Sequence, residues 1–268
     1  MHKEISSIHN PTVKKLVQLQ EKSRERRKNQ LFVIEGLREI SLALQENYTV
    51  LQIFYCPEII EVKEQRDLFA LLQESTEIIS ISGEVYQKVA YRASTEGVIA
   101  LTQTKEHNLT DLLLPENPLI LVAEAPEKPG NIGALLRTAD AAGVDALIIA
   151  NPLTDLYNPN IIRSSVGGVF TTQTALASSE DVINFLKSKN INIYSAILQD
   201  AKPYQEIDFT SPIAIVVGTE ANGLSKPWRE HANQNIIIPM QGKIDSMNVS
   251  VAAGILIFEA RRQRGFKL

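Results

Sequence analysis

The sequence has a single cysteine, Cys56, in 268 residues, which excludes an internal disulfide framework and a cysteine-cluster metal site. Its four histidines, His2, His9, His107 and His231, are scattered, with no metal-ligand spacing between them. No apolar run reaches the ~18 residues needed to span a bilayer. The N-terminal stretch MHKEISSIHN lacks the apolar core of a secretory signal. No two of the 13 glycines lie two positions apart, so there is no GxGxxG, and neither GxxxxGKS/T nor GxSxG occurs. These absences argue against a standard dinucleotide site, a P-loop and a hydrolase nucleophile elbow. The expectation is a cytoplasmic protein with no structural metal and no membrane contact.

What remains is ordinary for a globular chain: 44% hydrophobic and 22% charged residues, in a length that suits one large domain or two modest ones. The net charge of −4 hides an asymmetry. Residues 1–38 carry nine Lys/Arg against four Asp/Glu, and the last eight residues, RRQRGFKL, carry four basic residues and no acidic one. The intervening stretch has 14 basic and 27 acidic residues. Basic ends on an acidic body suit localised contact with an anionic polymer; a solvated basic helix explains the N-terminal charge equally well.

Residues 11–28 predict one helix, started by Pro11 after Asn10, apolar at Val13, Leu16, Val17 and Leu19, and protruding at its charged end. Short strands at Leu31–Ile34, Val50–Tyr55, Glu77–Ile81 and Val98–Gln103 alternate with helical spacing at Leu37–Gln45 and Lys63–Gln73. The reading is a small α/β domain over 1–104, a proline-containing linker over 105–118 and a second α/β domain over 119–268. In the second, the near-continuous apolar runs at 119–125, 146–150, 191–198, 213–220 and 235–239 fit strands of a parallel sheet buried on both faces. The last helix, NVSVAAGILIFEARRQR (248–264), has apolar residues on more than one face. Either a partner subunit covers the second face or the helix is buried within its domain.

Three segments join apolar strands to polar and glycine residues. In PGNIGALLRT (129–138), glycines at a strand-to-helix turn allow close approach of a ligand, and Arg137 is placed to clamp a phosphate; a capped helix with a surface arginine is the alternative. In GTEANGL (218–224), a buried strand ends in glycine and then a carboxylate, where ligands bind in α/β sheets, although Glu220 serves equally as a helix cap. In IPMQGKIDSMN (238–248), Ser246 and Asn248 are each ordinary N-caps when taken singly.

Together the segments are specific. N-x-G-x-x-x-R-T-A-D-A-A-G at 131–143, V-V-G-T-E-x-x-G-L-S at 216–225 and I-P-M-x-G-x-x-D-S-M-N-V-S-V-A-A at 238–253 resemble, in order, the three motifs of the SpoU/TrmH RNA 2′-O-methyltransferases of the SPOUT superfamily. NPTVKKLVQL and FVIEGLREISLAL resemble the helix and L30-like substrate-binding domain attached to many members. The resemblance implies a trefoil-knotted, mostly parallel α/β SPOUT domain beside a small L30-like α/β domain, an obligate homodimer through the knot region, and S-adenosylmethionine as cofactor. It implies that Gly218, Ile238, Pro239, Met240 and Met247 hold the cofactor through backbone groups. Met247, where leucine is commoner, and Ala221, often glycine, are mild departures.

By motif position Arg137 is the catalytic arginine, with Asn131, Glu220, Ser246 and Asn248 orienting it and the ribose. Arg163 matches a second arginine that in some members reaches the target nucleotide across the dimer interface; a surface salt bridge is the alternative. Lys14, Lys15, Arg24, Arg26, Arg27, Arg38 and Arg92 are candidate phosphate contacts, which set affinity rather than sequence choice. The implied activity is methyl transfer to a ribose 2′-OH of structured RNA, with ribosomal RNA favoured over transfer RNA. The competing readings are a non-catalytic RNA-binding or ribosome-assembly protein of the same fold and an enzyme that methylates a base.

Overall fold

The computed structural model describes residues 3–91, 96–219, 223–243 and 246–266. In chain order the elements begin β1 (Lys3–Ile5), α1 (Pro11–Glu21), α2 (Ser23–Asn29), β2 (Leu31–Glu35), α3 (Leu37–Gln45), β3 (Val50–Tyr55), α4 (Val62–Phe69), β4 (Glu77–Ile81), α5 (Gly83–Val89) and β5 (Val98–Gln103). There follow β6 (Leu119–Glu124), α6 (Pro129–Ala141), β7 (Ala146–Ala150), α7 (Pro159–Ser164), α8 (Gly168–Thr171), β8 (Thr174–Ala177), α9 (Ser179–Ser188) and β9 (Asn192–Ala196). The chain closes with β10 (Ala201–Pro203), β11 (Ile213–Val217), α10 (Lys226–His231), β12 (Gln234–Ile237) and α11 (Val249–Arg264). Two compact units form. The first is Met1–Glu106 with Asp155–Thr171; the second is His107–Thr154 with Thr172–Leu268.

The first unit is a five-stranded sheet in the order β1-β4-β3-β5-β2, with β5 antiparallel to both of its neighbours. Its helix α1 starts where expected: the Asn10 side chain accepts the Thr12 N–H at 2.8 Å, and Val13, Leu16 and Leu19 enter the core. The single helix expected over 11–28 is instead two helices, broken at Lys22 in an extended conformation (φ −117°, ψ 110°). The break turns α2 back, so that Arg26 is 2% exposed. Its guanidinium donates to the Leu19 and Gln20 carbonyls at 2.6 and 2.9 Å, satisfying acceptors left free at the end of α1, and pairs with Asp155. Arg26 is therefore not an RNA contact. A buried arginine lies inside what reads as a solvated charge run.

Residues 155–171 belong with this unit, although sequence alone assigned them to the second domain. The reason is aromatic packing: Tyr157 stacks on Phe32 with centroids 4.1 Å apart, and Phe170 meets Tyr48 edge-on at 5.1 Å. Such pairs contribute about 0.5–1.5 kcal/mol each beyond the area they bury.

The second unit is a seven-stranded sheet in the order β10-β12-β9-β11-β6-β7-β8, with every recorded pairing parallel. All residues of β6, β7 and β11 are buried, as their unbroken apolar runs predict. Helices α6 and α11 pack side by side and parallel. Asn248 Nδ2 donates to Asn131 Oδ1 at 3.1 Å near their starts, and Arg261 Nε donates to the Ala142 carbonyl at 2.8 Å near their ends. One face of α11 buries Ala253, Leu256, Ile257 and Ala260; on another, Val251 and Phe258 are 53% and 41% exposed.

Candidate active site

The three motifs converge at the C-terminal ends of β6, β11 and β12, where open parallel sheets place ligands. Gly218 follows β11 directly. A Cβ there would lie 2.6 Å from Leu224 N and closer still to the Gly223 carbonyl, so only glycine fits. Reciprocal hydrogen bonds close this turn: Thr219 N–H to Gly223 O at 3.2 Å and Gly223 N–H to Thr219 O at 3.0 Å. Gly223 adopts φ +63° to permit it. The next loop follows β12, and Asn248 ends it by capping α11, accepting the Ser250 N–H at 3.0 Å.

Between these loops lies a cavity of about 480 Å³. Gly218, Ile238, Met240, Ser246 and Met247 all line it, together with Leu198, Leu224 and Ala252. Pro239 lies in the chain between two lining residues, Ile238 and Met240, but is not itself among them. A smaller cavity of about 160 Å³ shares Gly218, Thr219 and Val249 with the first and adds Glu124, Lys128 and Asn131. Motif one thus meets motifs two and three through Asn131, which also bonds Asn248.

Arg137 is not drawn in. It stands exposed on α6, lines neither cavity, and has no ion-pair or hydrogen-bond partner among the described residues. Glu220 and Arg92 lie outside the described residues. Lys14, Lys15, Arg27, Arg38 and Arg163 are exposed, all in the first unit.

The cavity suits a nucleoside-like ligand. Its volume falls in the range of small-molecule sites, and its walls are about equally polar and apolar, with Gln199, Thr219, Arg229 and Ser246 as the polar side chains. The closed turn at Gly218 brings backbone to the surface where a side chain would fill the space. S-adenosylmethionine, a nucleoside joined to an amino acid, fits these residues.

Glu124 is a polar centre that sequence reading passed over. It ends β6 and is 5% exposed. Its carboxylate accepts the Ser225 N–H at 2.7 Å, the Ser225 hydroxyl at 2.6 Å and the Ser179 hydroxyl at 3.0 Å. Ser179 Oγ in turn accepts Trp228 Nε1 at 3.0 Å and Asn151 Nδ2 at 2.8 Å. Neutral donors, with no cation among these bonds, satisfy the buried carboxylate. The only sequence signal was an acidic residue closing an otherwise apolar strand, LILVAE.

Among the described residues no cluster of three or more His, Cys, Asp or Glu could hold a metal ion, and no helix is long and apolar enough to cross a membrane.

Comparison with known proteins agrees with this geometry. Residues 118–258 match the SpoU rRNA methylase family, and residues 10–100 match the MRM3-like substrate binding domain. The chain is 29% identical to the 23S rRNA (guanosine(2553)-2′-O)-methyltransferase RlmP of Bacillus subtilis, over 97% of this chain and 99% of that protein. A crystal structure of an RNA 2′-O ribose methyltransferase superposes with a TM-score of 0.84 at 39% identity, covering 97% of this chain and 99% of the other. AviRb, a SpoU methyltransferase from Streptomyces viridochromogenes solved with its cofactor AdoMet, gives a TM-score of 0.88 at 27% identity, covering 96% and 98%. The chain belongs to the SpoU rRNA methylase family and is an S-adenosylmethionine-dependent RNA 2′-O-ribose methyltransferase.

Proposed function

We propose that this chain methylates a ribose 2′-OH in ribosomal RNA, and that it does so in the cytoplasm as a homodimer. The observation that carries the reading is the convergence of motifs two and three on one cavity of about 480 Å³, with motif one reaching the smaller cavity beside it through Asn131. Its substrate class follows that of the Bacillus subtilis relative, a 23S rRNA 2′-O-methyltransferase that aligns over nearly its full length.

S-adenosylmethionine, when bound, supplies a methyl group on a cationic sulfur that leaves as a neutral thioether. Backbone at Gly218, Thr219 and Ile238, with Pro239, Met240 and Met247, would hold it. The 2′-oxygen must be aligned with that methyl, and alignment is the main contribution asked of the protein. Asn131 and Asn248, already bonded to each other, present amide groups beside the cavity to orient the ribose. Ser246 lines the cavity and Glu220 follows the Gly218 turn in sequence; both take the same orienting role.

Arg137 binds the phosphate next to the target ribose and polarises the hydroxyl. A guanidinium is too weak an acid to become a general base at neutral pH, so the hydroxyl proton leaves through the phosphate or water. Its position outside its own cavity supports a shared site, in which Arg137 serves the partner's cofactor. Arg137 neighbours Thr138, whose methyl lies 3.8 Å from where a Cβ on Gly254 of α11 would stand, and α11 carries the exposed Val251 and Phe258. Covering that apolar strip is what a second copy offers.

The test uses purified protein, labelled S-adenosylmethionine and separate unmodified ribosomal and transfer RNA pools. Label recovered as a 2′-O-methylnucleoside from ribosomal RNA supports the reading. Label confined to transfer RNA, or to a methylated base, overturns it.

A further inference from the structure

The first unit has a cleft of its own, of about 360 Å³, which none of the three motifs reaches, although Pro159, Ile162, Arg163 and Val166 on its wall lie within the residues matched to the SpoU rRNA methylase family. Its floor is apolar, built from Val33, Pro159, Ile162 and Val166. Arg38 and Arg163 stand on its rim, brought together because residues 155–171 fold with the N-terminal residues. Both are exposed, and neither has a hydrogen-bond or ion-pair partner among the described residues. Tyr91, 48% exposed, lines the same cleft.

Carboxylates are near, which makes the unpaired arginines informative. Glu35, Glu39 and Glu96 also line the cleft. Glu35 Oε2 accepts the Tyr91 N–H at 2.6 Å, fixing the backbone that carries the ring. Glu96 Oε2 accepts the Leu37 N–H at 2.5 Å, capping α3, whose own N-cap, Gly36, has no side chain to do so. Guanidinium forks that grip none of these acids remain available for an incoming acceptor.

We propose that this cleft is a nucleotide subsite that takes one unstacked nucleotide of the RNA: Arg38 and Arg163 together hold its phosphate, and its base lies on the apolar floor against Tyr91. The mixed charge favours a nucleotide over a bare anion. Acidic groups at the rim repel free phosphate yet accept from base N–H groups and ribose hydroxyls. Proteins read RNA mainly where bases are splayed out and stacked on aromatic rings. The proposal rests on the RNA substrate proposed above but concerns a place away from the methyl-transfer cavity.

The experiment is RNA binding without turnover. Unmodified in-vitro-transcribed 23S rRNA is titrated between 50 and 200 mM KCl, on the order of the range over which phosphate contacts register. Arg38→Ala and Arg163→Ala are each expected to weaken binding about tenfold, and removing both to lower the salt slope by about 1 in total, as for one phosphate. Because both grip one phosphate, the double variant falls within about threefold of the weaker single one. Tyr91→Ala weakens binding about tenfold with the salt slope unchanged, and Tyr91→Phe restores it. All variants keep wild-type affinity for S-adenosylmethionine, which separates this effect from misfolding.

Fully additive arginine effects with wild-type binding by Tyr91→Ala would overturn the subsite and leave two separate surface contacts. Binding of 5′-GMP or 5′-UMP that does not compete with the RNA would assign the cleft to a free nucleotide, also against the proposal. Failure of the wild type to methylate ribosomal RNA would sink the substrate reading instead, since the binding cycle reads out independently of transfer.

Discussion

The Glu124 carboxylate takes two hydrogen bonds from one residue, Ser225, through its backbone N–H at 2.7 Å and its hydroxyl at 2.6 Å. The two residues are 101 positions apart. Glu124 ends the strand before motif one, and Ser225 closes motif two, so the pair ties the end of β6 to motif two, and Glu124 lines the smaller cavity with Gly218 and Thr219.

Glu124→Gln tests that tie. An amide keeps the size but loses the charge, and its NH2 group faces donors rather than acceptors. Hydrogen bonds to charged groups are worth about 1.5–3 kcal/mol each, so a stability loss of about 2 kcal/mol is expected by urea denaturation. Loosening of the Gly218–Ser225 turn should also raise the Kd for S-adenosylmethionine about tenfold, a factor equivalent to about 1.4 kcal/mol. Calorimetric titration of folded protein reads this directly. Wild-type cofactor affinity in a destabilised variant would restrict Glu124 to a folding role.

Arg137→Ala is the converse case. It removes a side chain that lines neither cavity and has no partner in the described structure. Stability should change by less than about 0.5 kcal/mol, the usual range for such surface sites. Cofactor affinity should stay within about twofold, while the transfer rate falls by about two orders of magnitude or more, the scale of losing an oriented electrostatic group. Single-turnover kinetics with saturating cofactor separates the two. Loss of cofactor binding would refute this division of labour.

How much of this was legible differs with the kind of interaction. Strands β3, β4, β5 and β7 match their expected spans; β7 is an unbroken apolar run buried throughout, and β3, β4 and β5 are short segments rich in branched and aromatic residues. Gly218 at the end of a buried strand and Asn248 as an N-cap were legible singly, because a tight turn demands glycine and a helix start demands a cap; only the resemblance to the family's motifs drew the residues between them into one site. The short strands β1, β8 and β10, of three or four residues, carry too little pattern to see. Glu124 was hidden because its partners lie 55 and 101 residues away. The same distance effect misplaced Arg26, whose acid partner is 129 residues along the chain, and cut residues 155–171 from the unit they pack with.

Arg26 and Arg27 should therefore behave as opposites. Arg26→Ala strands the partly buried Asp155 and the Leu19 and Gln20 carbonyls, and because Asp155 keeps some access to solvent the cost should fall near the lower end of the about 3–5 kcal/mol for breaking a buried pair. Arg27 is exposed and, among the described residues, bonds only the Ser23 hydroxyl, at 3.3 Å. Arg27→Ala should leave stability within about 0.5 kcal/mol of wild type. If it meets RNA, it lowers the salt slope of binding by about 1. Thermal denaturation and salt-dependent RNA binding on the same two variants check both halves.

The tyrosines of the first unit set its alkaline limit. Burial pushes the Tyr48, Tyr86 and Tyr157 hydroxyls above their ordinary range, most strongly for Tyr86 and Tyr157. The unfolded chain then loses its phenolic protons first, near pH 10, while the folded unit keeps them. The stability associated with these groups is whole below that pH and declines as pH rises above it. A stability profile by urea melts, with phenolate absorbance followed in parallel, should show tyrosine ionisation coincident with unfolding rather than before it. Tyr86→Phe should flatten the alkaline slope, at the cost of the 3.2 Å bond its hydroxyl accepts from the Gly97 N–H. Ionisation of all seven tyrosines near pH 10 in a protein that stays folded would contradict the burial of these hydroxyls.

The exposed strip on α11 gives the last test. Val251 and Phe258 are seven residues apart, two helical turns, so they share a face, opposite in character to the charged surface expected of a lone helix. Nothing in the packing of the second unit needs them exposed: the core face of α11 is already filled by Ala253, Leu256, Ile257 and Ala260. Phe258→Glu should cost this unit less than about 1 kcal/mol, because the ring is 41% exposed. Two such charges facing each other across a symmetric contact repel strongly. Light scattering should then report a monomer for the variant and, as proposed above, a dimer for the wild type. If Arg137 acts on the partner's cofactor, the monomer also loses methyl transfer while each chain still binds S-adenosylmethionine. A variant that stays dimeric would place the subunit contact elsewhere. A monomer that keeps full activity would place Arg137 in reach of its own cavity, and the shared site would have to be abandoned.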